Sequence, residues 1–150
     1  MKKFFFLMSA AFLLSTGALL ANTYETTVSN KIQHNFTEAF AGASEVKWYT
    51  DDNKTFTAKF TMSNSKVTAF FDDAGTLLAT SRYLQPEQLP LPLATRINKR
   101  YPKDSIFCVV EYSSNENVVY FVTLEGKDTW TVLKADGTGS TTVYSHLKKA

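Results

Sequence analysis

The feature that most constrains this chain is a series of period-two segments joined by turns too short for anything but antiparallel neighbours. Val46, Trp48 and Thr50 alternate with Glu45, Lys47 and Tyr49, and after Asp51-Asp52-Asn53 the residues Phe56, Ala58, Phe60 and Met62 alternate with Thr55, Thr57, Lys59 and Thr61. Such alternation marks strands with one buried face. Ser63-Asn64-Ser65 turns the chain into Val67, Ala69 and Phe71, and Asp72-Asp73-Ala74-Gly75 turns it again into Thr76 to Tyr83. A parallel crossover needs about a dozen residues, so these four strands form a meander.

A second set of runs covers Ser105 to Tyr112, Asn117 to Leu124, Lys127 to Ala135 and Ser140 to Leu147, with turns at Ser113 to Glu116, Glu125-Gly126 and Asp136-Gly137. A helix precedes each set. Leu89, Leu93, Ile97 and Tyr101 recur every four residues, and 61 positions earlier Val28, Ile32, Phe36 and Phe40 do the same. That spacing keeps each quartet on one helical face. The first helix is predicted from Val28 to Ala41, with Thr26, Thr27 or Ser29 as N-cap and Gly42 as its stop; the second runs from Leu89 to Tyr101, closed by Pro102. Asn22 to Thr27 reads as a polar lead-in. Gln85 to Pro92 holds three of the four prolines and reads as the joint between two units.

The expected architecture is therefore α+β: two tandem repeats, about 28–84 and 89–147, each one helix plus a four-stranded antiparallel meander, with the helices packed on one face of the sheet. The helix-facing residues are predicted to be Val46, Trp48, Phe56, Ala58, Phe60, Val67, Ala69 and Phe71 in the first repeat. In the second they are Ile106, Cys108, Val110, Val118, Tyr120 and Val122.

Residues 1–21 read as an export signal: basic Lys2 and Lys3, the apolar run Phe4 to Leu14, and a small-residue exit with cleavage between Ala18 and Ala21. The apolar run is shorter than the roughly 20 residues a permanent span needs. No stable membrane insertion is expected after cleavage, and residues 22–150 form a single periplasmic or secreted domain. The chain has 16 Lys plus Arg against 14 Asp plus Glu, and the leader removes Lys2 and Lys3 with no acid, which leaves 14 of each sign. A neutral domain lacks the basic footprint that nucleic acid requires. The cluster Lys99, Arg100 and Lys103 complements the dipole at a helix C-terminus instead.

Catalytic residues, metal ligands and cofactors are not expected. His34 and His146 have no second ligand at zinc spacing, no Gly-x-Ser-x-Gly elbow occurs, and Asp51-Asp52-Asn53 and Asp72-Asp73 read as turn formers rather than calcium ligands. Cys108, the one cysteine, lies in the apolar run Ile106 to Val110 and reads as an inert buried thiol.

The series Val46-x-Trp48, Phe56-Thr57-Ala58-Lys59-Phe60, Ala69-Phe70-Phe71-Asp72-x-x-Gly75-x-Leu77-Leu78-x-Thr80, Leu89-Pro90 and Ile97-x-x-x-Tyr101-Pro102 resembles the PepSY-like group of exported bacterial proteins. That group is also described as β-lactamase-inhibitor-like and is common in Bacteroidetes. The resemblance covers nearly all of the chain after the leader. It implies tandem helix-plus-four-strand repeats, an export signal and a non-enzymatic role, with no catalytic residues to carry over. The inhibitor that gives the group its name binds through an aromatic-rich sheet and is usually disulfide-bonded, whereas this chain has a single cysteine.

Aromatic residues make up 14% of the chain, more than the helix-facing positions absorb. By alternation Tyr49, Phe70, Phe107 and Phe121, with Val109, fall on the opposite face, interleaved with Lys47, Lys59, Thr57, Thr68 and Glu111. Trp130 joins them in one of its two registers. Aromatic anchors inside a polar rim are what a binding surface needs. Alternatively, a terminal segment, the other repeat or a second copy of the chain covers this face. Two function classes follow. One is a module that binds a protein or peptide through Tyr49, Phe70, Phe107, Phe121, Trp130, Lys47 and Lys59, with inhibition as one use; the other is a carrier that encloses a small apolar ligand.

Overall fold

The computed structural model describes residues 23–115 and 117–149. The chain order is β1 (Tyr24–Glu25), α1 (Asn30–Ala39), β2 (Ser44–Thr50), β3 (Thr55–Met62), β4 (Ser65–Asp72) and β5 (Leu77–Leu84). A short 3-10 turn, Pro86–Gln88, then leads into α2 (Leu91–Arg100), β6 (Ser105–Ser114), β7 (Asn117–Glu125), β8 (Thr129–Ala135) and β9 (Thr141–Lys148). The expected leader lies outside the described residues.

The expectation of two tandem helix-plus-four-strand repeats in an α+β fold is corrected by the sheet. Among the described residues the fold is mostly one nine-stranded antiparallel sheet, β1 to β9 in sequence order, with two α-helices of ten residues each. Two pairings overturn the repeat reading. Tyr24 and Glu25, placed in a polar lead-in, pair with Thr50 and Tyr49, so a strand precedes α1. β5 and β6 then pair along five residues, from Thr80↔Ser113 to Leu84↔Val109, so the sheet continues through the presumed joint. The prolines of Gln85 to Pro92 only carry the chain out of the sheet and into α2. Leaving β5 and β6 unpaired would expose two rows of backbone donors and acceptors, which the continuous ladder avoids.

Both helices lie on the same face. Ser29 caps α1, its Oγ accepting from the Ile32 N–H at 3.3 Å. Ile32 and Phe36 are buried against Trp48, Ala58, Phe60, Ala69 and Phe71, with Val46, Phe56 and Val67 packed around them. All eight helix-facing residues expected in this half belong to that core. Cross-strand pairing sets Ala58 directly beside Trp48 and Ala69, and these small side chains leave room for the helix. Leu89, Leu93 and Ile97, with Tyr101, pack on Val109, Tyr120, Val122, Leu124, Leu133 and Ala135.

The expected β6 register fails part-way along the strand. A bulge between Ile106 and Cys108 inserts one residue, and a one-residue slip sends every later side chain to the other face. Ile106 still packs on the core, but Val109, 1% exposed, takes the core position expected of its neighbours. Cys108 and Val110 turn to the opposite face, and Glu111 to the helix side, where its Oε1 accepts from Arg82 Nε at 2.7 Å. Tyr120 and Val122 are core as expected, while Val118 is exposed at the start of β7.

The aspartates belong to turns. The Asp52 carboxylate accepts from the N–H groups of Thr55 and Lys54, which hold it below the usual carboxylate range. The Asp136 carboxylate accepts from the Thr138 hydroxyl and from the N–H groups of Ser140 and Thr138, and is lowered likewise. A lowered carboxylate stabilises its turn while ionised, and that contribution is lost as the pH falls through the depressed value. In the β8–β9 turn Gly139, not Gly137, is left-handed (φ 95°), and a Cβ there would meet the Pro92 carbonyl oxygen of α2 at 3.1 Å.

Candidate binding face of the sheet

Cross-strand pairing places Lys47 and Tyr49 on β2, Lys59 on β3, Phe70 on β4, Phe121 on β7 and Trp130 on β8 on the face opposite the helices. Phe107, the bulge residue of β6, joins them through its edge contact with Trp130, at 4.9 Å between ring centroids. They form two groups. In the first, Lys47 is directly opposite Lys59, whose Nζ lies 5.0 Å from the Tyr49 ring centroid, and Thr57 links Tyr49 to Phe70 across β3. In the second, Trp130 meets Phe107 on one side and Lys149 Nζ at 4.8 Å on another, while Lys149 also pairs with Glu125 at 2.7 Å. Phe121 packs edge-on against Tyr144 of β9 at 5.5 Å. β2 and β8 are six strands apart, roughly 28 Å at normal strand spacing, so no small ligand reaches from Lys47 and Tyr49 to Trp130.

Between the groups the face is filled rather than open. Val110 is buried although no helix covers it, because Tyr83 and Phe121 flank it on the two adjacent strands. Ala79, Thr123 and Val132 are buried on the same face. Burial pushes the Tyr112 hydroxyl up and the Cys108 thiol up, which keeps the thiol protonated and a poor nucleophile. Sequence reasoning missed Tyr83, 56% exposed, together with Tyr112, Tyr144 and Lys66. Tyr83 was legible by counting alternation to the end of its strand. Tyr112 and Tyr144 were not, since each follows a bulge or sits in one.

Elsewhere the titratable groups are dispersed. His34 Nε2 is 3.3 Å from Glu38 on the exposed side of α1, and His146 Nδ1 is 2.9 Å from the Thr131 hydroxyl. Among the described residues no three His, Cys, Asp or Glu side chains gather as metal ligands, and no helix is long and apolar enough to cross a membrane. A groove of about 490 Å³ runs between α2 and the start of β6, lined by Pro86, Leu89, Leu91, Ala94 and Ile106 with Glu87 and Asp104, and it is open to solvent.

No protein-family model matches the chain, and no curated protein does. Solved structures do. A BLIP-like protein from Bacteroides fragilis superposes with a TM-score of 0.70 at 18% identity, over 83% of this chain and 90% of that one. The chain has the BLIP-like fold. A DUF2874 family protein from Bacteroides ovatus shares it at TM-score 0.68 and 16% identity, over 82% of this chain and 89% of its own. So does a candidate periplasmic protein from Bacteroides eggerthii, at 0.68 and 10%, over 82% and 90%. The inhibitor-like part of the expected resemblance thus has its structural counterpart; none of these three is described as PepSY-like, and the BLIP-like likeness at such identities concerns the fold alone.

Proposed function

We propose that this chain is an exported, non-enzymatic binding module that presents the helix-free face of its sheet to a protein or peptide partner in the periplasm or outside the cell. The observation that carries this reading is the set of aromatic side chains left on a face that neither helix covers, with Phe107 64% exposed and Tyr83 56%. Rigid aromatics supply contact area at low entropic cost, and a few of them dominate most interfaces. The candidate periplasmic neighbour and the basic-apolar leader support export. The protonated Cys108 and the separated histidines support a role without catalysis.

The test is a tagged pull-down from the periplasmic fraction, repeated with Tyr49→Ser/Phe70→Ser and with Phe107→Ser. The face reading expects at least one variant to keep its circular dichroism and denaturation midpoint while weakening capture about 30-fold or more, the loss of one or two aromatic anchors. Folded variants that capture the partner at full strength would move the site off this face.

A further inference from the structure

Lys47 and Lys59 occupy directly opposed positions on adjacent antiparallel strands, on the helix-free face, and both are exposed. Opposed side chains in such a pair start from Cβ atoms about 4.5–5.5 Å apart, and like charges there destabilise the sheet. Lys66 lies on the same face of β4, one diagonal step from Lys59, because Lys59 opposes Thr68 and Thr61 opposes Lys66. Three ammonium groups therefore share one corner of the sheet. Two carboxylates border that corner, Glu25 opposite Tyr49 and Glu45 beside Thr61, against three lysines, and neither lies within ion-pair distance of a lysine among the described residues. Glu45 accepts from the Thr61 hydroxyl at 2.9 Å, Glu25 makes no ion pair, and the ion pairs of the described residues are His34–Glu38, Arg82–Glu111 and Lys149–Glu125. The domain after the leader has equal numbers of acids and bases, so this excess is local.

We infer that the Tyr49–Phe70 end of the face receives an acidic polypeptide segment of its partner, with carboxylates against Lys47, Lys59 and Lys66 and apolar side chains against the two rings. The inference rests on the binding-face reading above and adds the chemistry of the partner. An extended strand of alternating acidic and apolar residues fits, since its side chains sort to two faces with a period of two. A phosphate polymer does not fit as well. The three lysines span two inter-strand spacings, about 10 Å, and aromatic rings rather than further cations lie beside them. Lys59 already sits over the Tyr49 ring, so the charge is held at the border between apolar and polar contact.

The probe is a synthetic peptide of alternating Glu and Val, compared with its Lys/Val counterpart and with vesicles of anionic phospholipid, each titrated into isotope-labelled protein and followed by amide NMR shifts. The Glu/Val peptide is expected to bind and to shift amides around Lys47, Tyr49, Lys59, Lys66 and Phe70. Its dissociation constant should rise about tenfold or more as the ionic strength goes from about 0.01 to about 0.15 M and the screening length falls from about 30 to about 8 Å. Lys47→Glu removes a like-charge pair, so it is expected to raise the denaturation midpoint while weakening the peptide at least about tenfold. Equal binding of the two peptides, no binding of either, or binding only to vesicles overturns the inference. If the Tyr49→Ser/Phe70→Ser variant loses the natural partner and Lys47→Glu does not, the acidic partner is wrong while the face stands. Shifts confined to the helix side remove both.

Discussion

Replacing Phe36 by alanine is expected to lower the unfolding free energy by about 3–5 kcal/mol, the range for truncating a large aromatic in a packed core. Phe36 is 3% exposed, and its ring centroid lies 5.3 Å from Trp48 and 5.0 Å from Phe60, both edge-on, with Phe40 at 5.3 Å and Phe71 at 6.3 Å. Truncation leaves a hole ringed by four aromatics. Rigid rings held by several neighbours relax poorly into such a hole, and each edge contact carries about 0.5–1.5 kcal/mol beyond its buried area. Gln33→Ala, one residue after buried Ile32 but on the exposed side of the same helix, should cost under about 0.5 kcal/mol. Urea midpoints for the two variants check the expectation directly. If they coincide, the helix does not use the face described here.

That face was readable because both signals behind it are local. Val28, Ile32, Phe36 and Phe40 follow the helical period without interruption, and β3, β4 and β2 from Val46 onward alternate cleanly between turns made by Asp, Asn, Ser and Gly. The residues that defeated the reading depend on partners far along the chain. Tyr24 and Glu25 are too short a pair to show any period, and only β2 makes them a strand. Ile106 to Val110 is apolar throughout, so nothing local announces the bulge that turns Val109 inward and Val110 outward. The same ambiguity applied to Trp130, which the structure settles on the open face, opposite Glu125 and Leu147.

The repeat reading failed for a related reason. Two helices with matching spacing and two meanders are visible in the sequence, but whether β5 pairs with β6 is a long-range fact with no local signature. Gln85 to Pro92 reads identically as a linker between units or as a detour above one sheet. For the candidate face, alternation placed Tyr49, Phe70, Lys47 and Lys59 in register, yet the opposition of Lys47 to Lys59 needs the hairpin register. Asp51 to Lys54 leaves that register open by a residue or more, and Glu45, in the left-handed region at φ 55°, adds an irregularity that no pattern shows.

Leu133→Ala is expected to lower stability by about 2–5 kcal/mol and to do so across the whole sheet. Leu133 is 0% exposed on β8, between Val122 of β7 and Val143 of β9, and packs in the core under α2. Trp48 lies in the core under α1 and Trp130 on the opposite face of β8, so each tryptophan reports on a different half. Trp130→Phe leaves Trp48 as the only tryptophan, and Trp48→Phe leaves Trp130. The first removes a ring that Phe107 and Lys149 hold at the surface; the second removes an Nε1 that has no hydrogen-bond partner among the described residues, so neither substitution breaks a hydrogen bond there. Because β5 and β6 pair along five residues, unfolding the α2 half strips β5 of its neighbour and exposes an edge in the middle of the sheet. Small domains of this size usually unfold in one cooperative step. In the Leu133→Ala background the Trp48 and Trp130 signals should therefore shift by the same amount in denaturant. A Trp48 midpoint that stays put while that of Trp130 falls would mean that the β5–β6 ladder joins two halves without coupling their stability.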